Sequence, residues 1–387
     1  MIRLIHNAGR LAVILFLFLF LVQPLSGQVP VPSRAYYHLI GTLAGEIPVT
    51  LEMIKAGDTV YCNYELFSNS LQNGEILVNR GVLPEICGRM DSRTGSFLLF
   101  TPFSDREMNI KGSLVNGRKF TGTWQENSRQ KYPFEWNETY PEGSVQFNVS
   151  YTRESMPLVK KAGSPKAKIA MVLLTPAESS NPVISDSLMK FILEKFANRP
   201  IAQTDPQQVL ASLKSGFFQS YISTNQSLYE QMPDAGMLNW ESLRFMHIIY
   251  NSNHLLTFGI LQYAFTGGAH GLETTDFYVI NLKTGRQLLL SDLFKEGAEK
   301  QLEISLTESM KRVYCKNPGE KLTDAGFFTD EVKPTANFFI TSKGIGFHYN
   351  QYEIAPYAFG AIVTFLDFSE IRDLLRTGIE LPIPTGQ

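Results

Sequence analysis

From residue 35 to about 138, apolar and polar residues alternate in short runs. Val49-Thr50-Leu51-Glu52-Met53 is one, Val60-Tyr61-Cys62-Asn63-Tyr64-Glu65-Leu66 the next, and Glu75–Val78 and Ser96–Phe100 follow. A period of two is the signature of a strand with one buried face. Turn residues separate the runs: Ala56-Gly57-Asp58, Asn73-Gly74, Arg93-Thr94-Gly95 and Asn116-Gly117. Short strands at near-regular spacing predict a meander closing into a small barrel or a sandwich. Asn116-Gly117, between Ser113-Leu114-Val115 and Lys119-Phe120-Thr121, predicts a two-residue hairpin, because both residues tolerate positive φ. Trp124 ends Phe120-Thr121-Gly122-Thr123-Trp124 and is expected to plug one end of the barrel.

The pattern changes after residues 139–145, where Pro141, Glu142 and Gly143 read as a linker. Strands are expected at Val145–Val149 and Lys168–Leu174, with a basic loop at Lys160–Lys166 between them. Leu188, Phe191, Ile192 and Phe196 recur at helical spacing behind Ser185 or Asp186 as N-cap. Leu210, Leu213 and Phe217 do the same after Pro206. Hairpins follow around Asn251–His254, Lys283-Thr284-Gly285 and Ser342-Lys343-Gly344. A third helix carries Leu302, Leu306, Met310 and Val313 on one stripe. After a last strand at Ile362–Phe368, Ser369 is expected to cap a short helix with Ile371, Leu374 and Leu375. Hairpins mixed with separate helices mean α+β with a mainly antiparallel sheet. The expected organisation is an all-β domain at 35–138 and an α+β domain at 145–378.

The first residues stand apart from both patterns. Arg3 and Arg10 precede the apolar run Leu11–Val22, Pro24 breaks it, and Leu25-Ser26-Gly27 supplies a small residue for cleavage. This reads as a secretory signal peptide at 1–27, with an uncleaved anchor as the alternative. The run falls short of the roughly 20 apolar residues of a membrane span. Export to the periplasm or cell surface is therefore expected, with no transmembrane segment left after cleavage. Net charge is −2, and loss of Arg3 and Arg10 makes it two units more negative. That balance argues against a nucleic-acid partner.

Cys62, Cys87 and Cys315 form no CxxC. Cys62 and Cys87 are a candidate pair in an oxidising compartment. Small buried hydrophobes are the reading preferred here, since an odd count shows no pairing rule. No HExxH or Cys/His cluster points to a metal, and no Gly-x-Ser-x-Gly elbow, Walker or dinucleotide motif points to catalysis or a cofactor. None of these is expected.

Two segments concentrate glycine, aromatics and one ionisable side chain each: Phe265-Thr266-Gly267-Gly268-Ala269-His270-Gly271 and Tyr352-Glu353-Ile354-Ala355-Pro356-Tyr357-Ala358-Phe359-Gly360. Their order, with Leu282-Lys283-Thr284-Gly285, Leu290-Ser291-Asp292-Leu293-Phe294 and a helix between them, resembles the RsiV-like domain family over about 145–378. That family is the extracellular part of a lysozyme-sensing anti-sigma factor and accompanies some exported peptidoglycan deacetylases. The resemblance implies an envelope domain whose partner is a lysozyme-like protein or a peptidoglycan fragment. Anti-sigma activity is not implied, because a leader and a β domain replace the sigma-binding segment and transmembrane helix. No deacetylase domain is present either. The N-terminal half only loosely resembles lipocalin-like or streptavidin-like barrels.

Glycines between strands let another segment approach closely, so the two motifs are expected to be neighbours on one edge or face. His270, Glu353, Tyr352, Tyr357, Gly267 and Gly268 are then the candidate ligand-binding residues. Two functions fit. One is a non-catalytic binding module using Tyr352, Tyr357 and Phe359 as an aromatic platform. The other is a cell-wall glycan-modifying enzyme using His270 and Glu353. The functional reading of His270 puts it at a cleft rim beside Glu353 or Tyr357, binding a ligand or moving a proton. The bland reading makes His270 a turn-holding side chain, Glu353 a buried acceptor in its own loop, and the aromatics the lid of a core. Missing catalytic signatures favour the binding module. A deep site joining His270 to Glu353 distinguishes the enzyme from a flat aromatic face.

Overall fold

A computed structural model describes residues 31–66, 86–101, 108–126, 130–178, 182–202, 204–232, 236–378 and 380–382. The leader at 1–27 and the strand expected at Glu75–Val78 lie outside these described residues.

Among the described residues the alternating region forms eight strands: β1 (Arg34–Leu43), β2 (Ile47–Ala56), β3 (Thr59–Leu66), β4 (Ile86–Met90), β5 (Ser96–Phe100), β6 (Met108–Val115), β7 (Lys119–Glu126) and β8 (Lys131–Glu138). They pair antiparallel in sequence order, and β8 returns to β1 to close a barrel. Inward positions are the apolar half of each alternation, among them Leu39, Leu51, Met53, Val60, Leu99, Ile110 and Phe120. Trp124 packs edge-on against Tyr64 and Trp136 in this interior, and Phe134 stacks on Trp136 at 3.8 Å. The barrel therefore holds its own side chains. Gly112 and Gly122 face each other across β6 and β7, and a Cβ on Gly122 would sit 2.0 Å from the Lys111 carbonyl. The ring of Phe134 lies over both. Asn116 (φ 52°) and Gly117 (φ 75°) make the expected two-residue turn. Cys62 faces inward, whereas Cys87 lies opposite Tyr61 on the outer face of β4, so the two do not bridge. All three cysteines are free; only Cys62 is buried, while Cys87 and Cys315 are half-buried.

A six-stranded sheet follows, in the order β14 (Arg286–Gln287), β13 (Leu272–Asn281), β12 (Leu255–Phe265), β11 (Trp240–Ser252), β10 (Lys166–Pro176), β9 (Phe147–Pro157). All neighbours are antiparallel except β10 and β11. That parallel pair needs a crossover, which α1 (Pro182–Ala197) and α2 (Pro206–Gln231) supply. Helix α1 starts three residues before the expected cap, at Pro182, where the fixed φ of proline suits a first helical position. Asp205 caps α2 by accepting from the Gln207 N–H at 2.9 Å, with Pro206 at its first turn. The helices cover one sheet face, where Phe191 meets Phe258 and Tyr278.

The other face meets the barrel at one end and a three-stranded sheet at the other. Tyr61 of β3 packs on Phe245 at 4.5 Å. The small sheet, β15 (Phe338–Ile340), β16 (Gly344–Tyr349) and β17 (Ile362–Asp367), brings Phe339 and Phe365 to Ile249 and Phe277. Helix α3 (Glu299–Tyr314) buries Leu302, Leu306 and Met310, but Val313 in its last turn is 60% exposed. The terminal helix runs Phe368–Ile371 and is capped by Asp367 in place of Ser369; Glu370 accepts from the Asp367 N–H. The architecture is the α+β one expected, a barrel followed by mainly antiparallel sheets.

A buried polar seam joins the barrel to the sheet. Glu52 accepts from the Tyr36 hydroxyl and lies 2.9 Å from His38 Nδ1. Asn251 donates to Tyr36 Oη and exchanges both hydrogen bonds with the Val145 backbone. Further along, Asn63 donates to the Ile248 carbonyl, the Ser342 N–H donates to Glu65, and Lys343 Nζ donates to the Leu66 carbonyl. The segment 139–145 is part of this packing: Val145 is buried and the Tyr140 hydroxyl donates to the Tyr36 carbonyl.

Candidate functional site

The two glycine- and aromatic-rich segments meet. The first is the turn between β12 and β13, where Gly267 (φ 95°) and Gly268 (φ 97°) adopt a backbone that side chains resist. Gly271 allows the Tyr263 ring to pack against the chain, since a Cβ there would sit 2.4 Å from it. This turn carries His270 outward at the end of the sheet. The second segment is the loop between β16 and β17. It contains Tyr352 in the left-handed region (φ 69°) and a 3-10 turn at Tyr357–Phe359 that ends on Gly360.

His270 stacks on Tyr357, ring centroids 3.9 Å apart and planes 23° apart. The Tyr352 ring centroid lies 5.6 Å from that of Tyr357. The Gly271 carbonyl ties the cluster together: it accepts from the Tyr357 hydroxyl at 2.9 Å and lies 3.0 Å from His270 Nδ1. A carbonyl only accepts, so Nδ1 carries the hydrogen. In the neutral ring Nε2 is then the acceptor, and the Tyr352 hydroxyl stands 3.4 Å from it. Tyr352 is 51% exposed and His270 is also exposed. Leu272 and Met237, which touches the turn at Gly267, add exposed apolar surface beside them. Burial raises the Tyr263 phenol above its usual range, helped by Glu241, Tyr357 and Glu273.

Four side-chain contacts to one strand position this face. Strand β13 has a sheet partner on one side only along most of its length. On its open side the Phe277 N–H donates to Asn337 Oδ1 at 2.8 Å, and Asn337 Nδ2 donates to the Thr275 carbonyl at 2.7 Å. The Thr275 N–H donates to Asn350 Oδ1 at 2.7 Å, and the Glu273 N–H to Gln351 Oε1 at 3.2 Å. Side-chain amides thus do the work of a missing neighbour strand and cover an edge. Asn350 and Gln351 immediately precede Tyr352, so this amide row sets where the tyrosine loop meets the glycine turn.

Other expected residues behave differently. Glu353 is exposed and is approached by Asn350 Nδ2 at 3.5 Å; among the described residues it makes no contact with His270. Phe359 turns away from the platform and packs against Phe327 and Tyr314. Among the described residues no group of three or more His, Cys, Asp or Glu side chains is arranged to hold a metal, and no helix is long and apolar enough to cross a membrane. Sequence reasoning did not find the seam of Tyr36, His38, Glu52 and Asn251. A signal was present for part of it. His38 and Glu52 are two polar members of the outward half of a hairpin and stand directly opposite each other in register. Burial acts to lower the pKa of His38, but the charge and hydrogen bond of Glu52 outweigh it and raise the value.

Comparison with known proteins places part of this geometry. No curated protein matches the chain. A DUF3298 family member from Bacteroides fragilis shares the fold, with TM-score 0.57 and 23% identity over 61% of this chain and 96% of that one. A DUF3298 family protein from Pseudomonas aeruginosa aligns with TM-score 0.42 and 15% identity, covering 63% of this chain and 100% of its own. The matching family model is described as a protein of unknown function and takes in the tyrosine loop but not the glycine turn. Residues 291–369 of this chain form a DUF3298 family domain.

Proposed function

We propose that the chain is an exported envelope protein whose His270–Tyr352–Tyr357 face binds a protein or cell-wall glycan without turnover. The observation that carries this reading is the exposed aromatic cluster itself. Two segments separated by about eighty residues of sequence converge to stack one imidazole on the Tyr357 ring, with the Tyr352 ring beside that pair. Tyr352 and His270 are exposed while Tyr357 spends its hydroxyl on the Gly271 carbonyl, so the face combines aromatic area with polar groups, which suits aromatic recognition surfaces. Tyr352 adopts a left-handed backbone, which costs a non-glycine residue about 1–2 kcal/mol. Strain of this kind gathers at binding sites. The leader-like pattern at 1–27 supports export, and the RsiV-like order of motifs supports a lysozyme-like protein or peptidoglycan fragment as partner. The glycan-modifying alternative needs Glu353 beside His270, and the side chains are not in contact.

The test is retention of residues 28–387 on purified peptidoglycan and on immobilised lysozyme, with Tyr352→Ala and His270→Ala in parallel. Retention of the parent chain on one of the two, lost at least about tenfold in Tyr352→Ala at unchanged thermal stability, is expected. Equal retention of parent and variant, or none by the parent on either support, overturns the reading.

A further inference from the structure

We propose that the gap between the six-stranded and three-stranded sheets is an acid-sensitive latch. His247 and His348 seal it only as neutral rings, and proton uptake parts β13 from β15 and β16 and frees the loop bearing Tyr352 and Tyr357.

His247 of β11 is fully buried, and His348 of β16 is 1% exposed. His247 lies flat against Phe245 and edge-on to Phe277, while His348 packs on the same Phe277 ring at 5.2 Å. Gly259 stands opposite His247 in the ladder, and a Cβ there would sit 2.6 Å from the imidazole. The strand gives up a side chain to admit the ring. Neither nitrogen of His247 has a hydrogen-bond partner among the described residues, and neither has Nδ1 of His348.

The protonation pattern follows from Asn350. Its Oδ1 accepts from the Thr275 N–H, which fixes the orientation of the amide. His348 Nε2 lies 3.2 Å from the same oxygen and must therefore be the N–H of the ring. An added proton goes to Nδ1 of His348 or to a nitrogen of His247, and among the described residues neither meets an acceptor in hydrogen-bond geometry; the Phe245 backbone favours the charged His247 ring, but as the least of the three causes acting on it.

The surroundings offer no rescue. Strand β12 contributes Gly259, and β13 contributes Phe277, Thr275 and the half-buried Glu273, whose own pKa is raised by burial. Strands β15 and β17 contribute Phe339 and Phe365, with Val363 opposite His348. Barrel strand β3 presents Tyr61 and Asn63, and the carboxylates of Glu52 and Glu65 are engaged in the seam. Glu353 lies beyond Asn350 and is exposed. None of these carboxylates contacts either imidazole among the described residues. Burial accordingly lowers His247 to about 3, with His348 as a second cause and the Phe245 backbone opposing weakly, and lowers His348 to about 4.

The sign is that of a depressed pKa. The closed latch is stable above the ordinary histidine value of about 6.5 and weakens as pH falls from there toward the closed-state values. Between pH 7 and 5 the opening equilibrium rises about 20-fold for each histidine. Asn350 transmits this to the surface, since it bonds both His348 and β13 and lies two residues before Tyr352. Regulation of the binding face rests on the function proposed above; the latch itself does not.

The test needs no ligand. Hydrogen exchange, corrected for intrinsic rates, is compared at pH 7 and pH 5 for the amides of Glu273, Thr275, Phe277 and His348, with Leu51 and Met53 of the barrel as reference. Protection of the first group is expected to fall about 20-fold or more, and that of the reference less than about threefold. The double variant His247→Leu with His348→Leu is expected to lose this pH effect. Equal change in both groups, no change in the parent, or persistence in the double variant overturns the latch. If the variant does not fold, titration of the two imidazoles by NMR in the parent decides. Rings that stay neutral down to about pH 5 support it, and ordinary titration near 6.5 within the folded protein overturns it.

Discussion

Replacing Asn337 with leucine is the sharpest probe of how the small sheet is attached. The side chain is half-buried and answers two backbone groups of β13, the Phe277 N–H and the Thr275 carbonyl. Both residues are themselves buried, at 3% and 2% exposure. Leucine keeps the branched outline and the number of side-chain heavy atoms, so no cavity forms and the loss is chiefly polar. A buried group left without its partner costs about 1–3 kcal/mol. Two such groups at a half-buried position put the expected loss at about 2–4 kcal/mol. The effect should decline toward the loop. Gln351 makes one longer bond, 3.2 Å, to the half-buried Glu273, so Gln351→Ala should cost less than about 1 kcal/mol. Urea unfolding at pH 7.5, followed by fluorescence and by far-UV circular dichroism, gives both values if the probes coincide. A cost below about 0.5 kcal/mol for Asn337→Leu, or a larger one for Gln351→Ala, would falsify the view that side-chain amides hold this edge.

Three further outcomes are expected. Because Glu52 raises His38, the pair contributes stability that is full below about pH 6.5 and fades as pH rises through the folded value, so His38→Gln should flatten the alkaline side of a stability profile; an unchanged slope counts against a charged pair. Gly122→Ala should cost about 3 kcal/mol, because the new methyl meets the Lys111 carbonyl and the Phe134 ring, and a near-neutral result in thermal unfolding would show that β6 and β7 can part locally. The proposed division into 35–138 and 145–378 is tested by separate expression: the barrel should fold, but with a lower midpoint than in the whole chain, since Tyr36, Ile54 and Ala56 share a core with the six-stranded sheet; equal midpoints would mean the seam contributes nothing.

Local chemistry made much of this legible. The barrel interior follows the alternation of Leu51, Met53, Val60 and Cys62. Asn116-Gly117 specifies its turn by backbone tolerance alone. The stripe of Leu188, Ile192 and Phe196 is buried as helical spacing requires. Val313 shares the angular position of its stripe but sits in a last turn that leaves the core, which periodicity does not register. The meeting of the glycine turn with the tyrosine loop was readable as a shared composition. Which of Glu353 and Tyr357 lies beside His270 was not: the imidazole stacks on Tyr357, with the Tyr352 hydroxyl near its Nε2, while Glu353, the acid of that motif, is exposed. The seam and the amide row stayed hidden because each depends on strands brought together from distant parts of the chain. Asn337 and Asn350 look like loop residues until β13 is seen to lack a neighbour.

Ser342 and Lys343 each bond a residue 277 positions earlier, on the last turns of barrel strand β3. This gives the molecule an order of completion in time. Emerging from synthesis N-terminus first, the barrel can close early, yet its wall at Tyr61 and Asn63 stays wet until Phe245 and Ile248 exist, and at Glu65 until Ser342 does. Contacts of such separation are slow to form, because the loop must close before they give any return. Glu65 then passes from water into a site where burial raises its pKa, opposed by the Ser342 N–H and the Lys343 charge. A ribosome stalled before residue 342 would leave a finished barrel carrying one unfinished wall, the kind of half-covered surface on which chains stick to one another.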